Sequence, residues 1–129
     1  MKKTIKNLFF LIIGLFLITS CYEIRGPLNY GLINNSNKTI YDGMSFDYPD
    51  TNIKKINKPV SKTYPGQQQS NTLSNFALNP TLQIFIFDAD VIENEPWDTI
   101  VKYNKYLKRY QFTRAELENM GGNIVYDGN

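Results

Sequence analysis

From residue 30 to residue 129 the sequence predicts one strand-dominated α+β domain, a small antiparallel sandwich-like sheet with two short helices. Three observations predict it. Apolar and polar residues alternate with period two over 39–48 and 106–112, as in strands with one wet face. Leu82-Gln83-Ile84-Phe85-Ile86-Phe87 is a short β-rich, largely apolar run of strand length. Helix-start chemistry occurs twice, at Glu95-Pro96-Trp97-Asp98 and at Thr113-Arg114-Ala115-Glu116.

Residues 1–20 have a different character. Lys2, Lys3 and Lys6 stand ahead of an apolar run over 8–18, followed by Thr19, Ser20 and Cys21. That order of charge, apolar run and small residues is the pattern of a secretion signal. A helix of that run reaches roughly 16 Å, about half of the roughly 30 Å hydrocarbon core, so a removable leader is expected and a transmembrane anchor is not. Ile18-Thr19-Ser20-Cys21 resembles the lipobox cut by lipoprotein signal peptidase, with cleavage between Ser20 and Cys21. In proteins with that motif the cysteine sulfur receives a diacylglyceryl group, and the new amine is usually acylated. One chain holds a protein to a bilayer only marginally, whereas two or more anchor it stably at about 0.8 kcal/mol per buried methylene. Cys21 is the sole cysteine, so no intramolecular disulfide competes for its thiol.

Removing the leader leaves 109 residues, a size for one domain with a modest core. Three of the 14 basic residues go with it, so eleven face twelve acids and the formal charge turns from +2 to −1. A near-neutral domain has no field for phosphate backbones, and no nucleic-acid partner is expected. The sequence contains no histidine. Ser-His-Asp and Cys-His catalysis are thereby excluded, and a tetrahedral zinc site is disfavoured. Neither an enzyme nor a cofactor is expected.

Along the chain, residues 21–29 carry Gly26-Pro27 and little periodicity, and read as a lipidated tether. A first strand over 30–33 ends in Asn34-Asn35-Ser36-Asn37, side chains that hydrogen-bond local backbone and signal a hairpin turn. Over 39–48, Ile40, Met44, Phe46 and Tyr48 share one face, while Tyr41, Gly43, Ser45 and Asp47 share the other. Asp42 is the exception on the apolar face, and Asp42-Gly43 reads alternatively as a bulge or turn. Pro49-Asp50-Thr51-Asn52 closes the strand. Residues 53–79 are polar, with edge strands expected near 60–64 and 72–77. The run over 82–87 is the central strand, buried on both faces under a helix. Pro96 suits the first helical position, and Trp97, Ile100 and Val101 share the face turned to the sheet, with the helix fading by Asn104 or Lys105. Over 106–112, Tyr106, Lys108, Tyr110 and Phe112 lie opposite Leu107, Arg109 and Gln111. Thr113 and Glu116 then form a capping box, Gly121-Gly122 stops that helix, and 123–126 returns as a final strand.

The order of the lipobox, Asn34-Asn35-Ser36-Asn37, Tyr48-Pro49-Asp50, Pro65-Gly66, the apolar strand to Asp88, Trp97, Leu107-Lys108-Arg109-Tyr110 and the 113–117 helix start resembles small uncharacterised lipoproteins of Bacteroidota. The likeness covers most of the chain after the leader and implies an envelope location with no assigned activity. In that phylum, lipoproteins sent to the surface often carry an acidic run after the lipidated cysteine. Here Glu23 is the single acid among Tyr22, Glu23, Ile24 and Arg25, so the expected position is the outer membrane, facing the periplasm. Asp98-Thr99-Ile100 resembles the three-residue O-glycosylation pattern of the phylum, although Thr99 falls within the expected helix start.

Four groups of residues carry candidate chemistry. Phe85-Ile86-Phe87-Asp88-Ala89-Asp90 resembles the first motif of haloacid-dehalogenase-type phosphotransferases, in which one acid attacks phosphorus and the next handles the leaving-group proton. Those enzymes need a larger parallel sheet with further lysine and acidic residues, so strand-to-loop punctuation is the better reading. Asp88, Asp90, Glu93 and Glu95 offer oxygen ligands for calcium but lack the glycine-centred spacing of an EF-hand, and a solvated acidic loop competes. Tyr41, Tyr103, Tyr106 and Tyr110 have the chemistry to stack on sugar rings or a partner protein, and equally to pack with the ring inside and the hydroxyl in water. Lys54, Lys55, Lys58 and Lys62 suit anionic lipid, with Asp42, Asp47 and Asp50 near enough in sequence to make a mixed solvated surface. The sequence therefore predicts a membrane-tethered, non-catalytic binding or assembly component of the envelope. A glycan-binding module using the tyrosines and, behind it, a carboxylate-based enzyme are the alternatives.

Overall fold

The computed structural model describes residues 26–74 and 81–129. The leader, Ser20, Cys21, most of the expected tether and the far end of the strand expected over 72–77 lie outside the described residues. In chain order the elements are β1 (Leu28–Asn34), β2 (Ile40–Ser45), a 3-10 turn (Ile53–Lys55), β3 (Lys62–Thr63), β4 (Gln68–Leu73), β5 (Thr81–Asp88), α1 (Ala89–Asn94), α2 (Trp97–Lys102), β6 (Lys108–Thr113), α3 (Arg114–Asn119) and β7 (Asn123–Tyr126).

β5 organises the rest, because every side chain from Leu82 to Phe87 is buried. Strand alternation sends Leu82, Ile84 and Ile86 to one face and Phe85 and Phe87 to the other. The first face packs with Tyr30, Leu32, Ile40, Ile124 and Tyr126 between two sheets, of orders β4-β1-β7 and β3-β2-β5-β6. The second packs with Ile53, Ile56, Ile92 and Ile100 under the 3-10 turn, α1 and α2. Each such side chain contributes about 1.5–3 kcal/mol through burial, so β5 anchors two cores at once. The architecture is a strand-dominated α+β sandwich with α1 and α2 over one outer face and α3 contributing Leu117 to the inter-sheet core.

Several details differ from the expectation. Among the described residues there are three α-helices, not two: Asp88 caps α1 by accepting from Asp90 N at 3.0 Å, and α1 is too short to show a helical period in the sequence. Pro96 is the cap of α2 rather than its first residue. The sheet is double, and β7 runs parallel to β1. β1 begins at Leu28, inside the stretch expected as tether. The hairpin over 34–37 is absent, since β1 and β2 belong to different sheets and the turn carries the chain between them. β2 is a regular strand through Asp42-Gly43, with Ile40 in the inter-sheet core and Tyr41 in the helix-side core. Other features stand as expected. Thr113 Oγ1 and Glu116 exchange capping-box bonds, and Gly121 and Gly122 take positive φ, where a Cβ on Gly122 would lie 2.8 Å from the Asn29 carbonyl oxygen.

Candidate functional site

The acidic run expected as a calcium site is divided among separate structural tasks. Asp88 caps α1 and accepts from Lys38 Nζ at 2.7 Å, a pairing that holds its carboxyl below the usual carboxylate range. Glu93 is ion-paired with Lys62 and accepts from the Tyr41 hydroxyl at 3.0 Å, and both contacts lower its pKa. Glu95 pairs with Lys105 at 2.6 Å. Asp90 sits in the first turn of α1, where its charge favours the helix start. Among the described residues no group of acidic, histidine or cysteine side chains is placed to hold a metal ion. The resemblance of 85–90 to a phosphotransferase motif likewise ends in a helix cap.

The four candidate tyrosines do not share a face. Tyr41 is 7% exposed and packs in the helix-side core. Its hydroxyl is tied to Glu93, and burial raises its pKa before that bond adds to the effect. Tyr106 lies edge-on to Phe85 at 5.2 Å in the same core. Tyr110 belongs to the inter-sheet core, stacks on Phe112 and donates to the Val125 carbonyl at 3.0 Å. Only Tyr103 is open to solvent, at 62% exposure. Tyrosine abundance in this chain is thus chiefly packing. The lysines divide similarly: Lys62 joins Glu93, Lys55 approaches Asp47 at 3.6 Å, and the surface is mixed in sign.

The lone tryptophan stands in a different position. Trp97 opens α2 and is half-buried, packed against Phe87 in a T-shaped arrangement at a ring separation of 5.7 Å. With Val101 one turn later, it forms the apolar floor of a cleft of about 580 Å³ between α2 and the 3-10 turn. Asn52, Lys54, Asp98 and Lys102 supply polar walls. The local sequence explains the shape. Asn52 caps the 3-10 turn by accepting from Lys54 N at 2.8 Å, and Asn104 ends α2 in the left-handed region with φ 47°. An aromatic floor with amide, carboxylate and ammonium groups around it suits a ligand with apolar faces and many hydroxyls. The sequence expectation turned Trp97 fully toward the sheet. Its uniqueness in the chain was the signal available, and the half-turn left open could not be read from spacing.

Sequence reasoning also missed two buried amides that join separate parts of the fold. Asn34 Nδ2 donates to the carbonyls of Lys38 at 2.7 Å and Thr63 at 3.0 Å, while its Oδ1 accepts from the Ser36 amide and hydroxyl. Gln83 Nε2 donates to the Asp50 carbonyl and its Oε1 accepts from Arg109, each at 2.8 Å. Among the described residues no helix is long and apolar enough to cross a membrane. Comparison with family models, with curated proteins and with solved structures finds no match to the chain.

Proposed function

We propose that this chain is an envelope lipoprotein, anchored by acyl chains on Cys21, whose domain is a non-catalytic binding module with the Trp97 cleft as its ligand face. The observation that carries the reading is the cleft itself, with an indole floor and polar walls between α2 and the Asn52-capped 3-10 turn. The ligand class that fits is a carbohydrate. A sugar ring lays its C–H face on Trp97 and Val101, and its hydroxyls meet Asn52 and Asp98. This moves the glycan reading from the tyrosines, three of which are committed to packing, to the tryptophan. The lack of histidine and the engagement of Asp88, Glu93 and Glu95 in ion pairs support a role without catalysis. The single acid after Cys21 favours the periplasmic side of the outer membrane.

Because Trp97 is the only tryptophan, its fluorescence reports the cleft directly. Titration of the full chain with soluble oligosaccharides should give a saturable change, weakened about tenfold or more in Asp98→Ala. An unresponsive indole, together with a reproducible cross-linked envelope protein, would replace the glycan reading with an assembly role. The anchor is tested separately by mass spectrometry of the native N-terminal peptide. A bare Cys21 thiol or an uncut leader would remove the membrane attachment from the proposal.

A further inference from the structure

The sandwich has a gap beside β2. β3 pairs only with Ile40 and Tyr41, so among the described residues no strand lies along the edge of β2 beyond Tyr41. Part of the gap is filled by Ile56 and Pro59. A cavity of about 260 Å³ is left, bounded by β2, β4 and the 56–61 segment. Asp42 on β2 and Asn71 on β4 line it from opposite sheets, with Gln69, Ser61, Asn57 and Lys58 also on its wall. Asn71 lies directly across from Tyr30 in the β1–β4 ladder, and the Tyr30 hydroxyl makes a long 3.5 Å contact to Asp42 Oδ2. The remaining Asp42 oxygen, Oδ1, and the Asn71 Nδ2 group are buried without a hydrogen-bond partner among the described residues.

A buried carboxylate with no cation paired to it, on the same cavity as an amide donor without an acceptor, is a costly arrangement for the protein alone. Burial pushes the Asp42 carboxyl above the usual range, which is the sign of that cost. Water can relieve part of it, but one water occupies about 30 Å³ and the cavity is several times larger. Met44, Ile56, Pro59 and Val60 give part of the wall an apolar character.

We propose that this cavity binds an α-ammonium group beside a carbonyl, the unit borne by a free amino acid and by the first residue of a peptide. The ammonium donates to Asp42 Oδ1 and neutralises it, and the carbonyl oxygen accepts from Asn71 Nδ2. The apolar wall takes a short aliphatic side chain. The free edge of β2 favours a peptide, whose extended backbone can run beside it. Lys58, exposed at the same cavity, favours a free amino acid through its carboxylate. The site shares no lining residue with the Trp97 cleft and does not depend on that cleft taking a sugar.

The test is a titration of the full chain, ¹⁵N-labelled in detergent, observing the Asn71 side-chain amide, which Asn71→Asp identifies by its loss. Alaninamide, which carries the unit, should shift that signal saturably and bind about tenfold or more tightly than N-acetylalaninamide, which lacks the cation. Asp42→Asn should weaken alaninamide by a similar factor while melting as one cooperative unit. Trialanine binding more tightly than alanine assigns the site to peptide ends, and the reverse assigns it to free amino acids. A non-saturating shift, or equal affinity for the acetylated probe, overturns the proposal and leaves a cavity holding water only. That comparison is made on the unmutated chain and does not depend on any variant folding.

Discussion

Asn34 and Gln83 on one side, and Asp42 and Asn71 on the other, are polar side chains with buried polar atoms, and the protein treats the pairs differently. Asn34 uses both amide hydrogens and accepts two bonds, and Gln83 is engaged at both its oxygen and its nitrogen. Asp42 and Asn71 each leave a buried atom without a partner. A satisfied buried amide fixes where chain segments meet, because no alternative arrangement serves all of its bonds. An unsatisfied one weakens the fold at that point and is retained at the expense of stability. The comparison separates groups that build the sandwich from groups left available at its open edge.

The largest effect should come from the satisfied set. Asn34→Ala removes four hydrogen bonds and takes the amide donor from the Thr63 and Lys38 carbonyls, of which Lys38 keeps the Ser36 hydroxyl at 3.2 Å, for an expected loss of about 3 kcal/mol in urea unfolding. A loss under about 1 kcal/mol would mean that water replaces the asparagine and that the contrast between the sets is false. Gln83→Leu should cost less, about 2 kcal/mol by the same measurement. Arg109 keeps its contact to Gln111 at 3.3 Å, and Asp50 is exposed enough to turn its carbonyl to water. If Gln83→Leu proved as costly as Asn34→Ala, the β5 amide would be the stronger organiser of the two.

What was legible in the sequence follows from the range of the interactions concerned. Thr113 and Glu116 are three residues apart, so their capping box could be read directly and occurs as expected. The central strand was equally plain, because burial on both faces leaves no polar residue between Ile84 and Phe87. Asn34 was read as a turn former, which it is through Ser36, but its bond to Thr63 spans 29 positions and joins segments that no local pattern connects. That long-range bond is where the hairpin expectation failed. Tyr41 and Glu93 were both marked as candidate ligand groups, and the 52 positions between them hid that they bind each other. Asp42 stood out because it broke an apolar face, whereas Asn71 lies in so polar a stretch that nothing marked it. A buried polar residue is visible in a sequence only against apolar neighbours.

The smallest effect has the opposite sign and a distinctive dependence on pH. Asp42→Asn keeps the shape, retains an acceptor for Tyr30 and removes a charge that has no cation beside it, so it should raise stability at neutral pH by about 1 kcal/mol. The folded protein binds the Asp42 proton more tightly than the unfolded chain does, since burial raises the pKa from its ordinary 3.8. As pH rises from 3.8 through that raised value, the unfolded state gives up its proton first and the wild-type protein loses stability relative to the variant. The advantage of Asp42→Asn should therefore be full at neutral pH and shrink on acidification toward 3.8. Asp88, whose pKa is lowered by Lys38, works in reverse and loses its contribution as pH falls, but it is present in both proteins and cancels in the difference. Urea midpoints of the two proteins across that range decide the matter. A difference that stayed constant with pH, or grew on acidification, would show that Asp42 is not an unpaired buried carboxylate and that the open edge of β2 is as fully satisfied as Asn34.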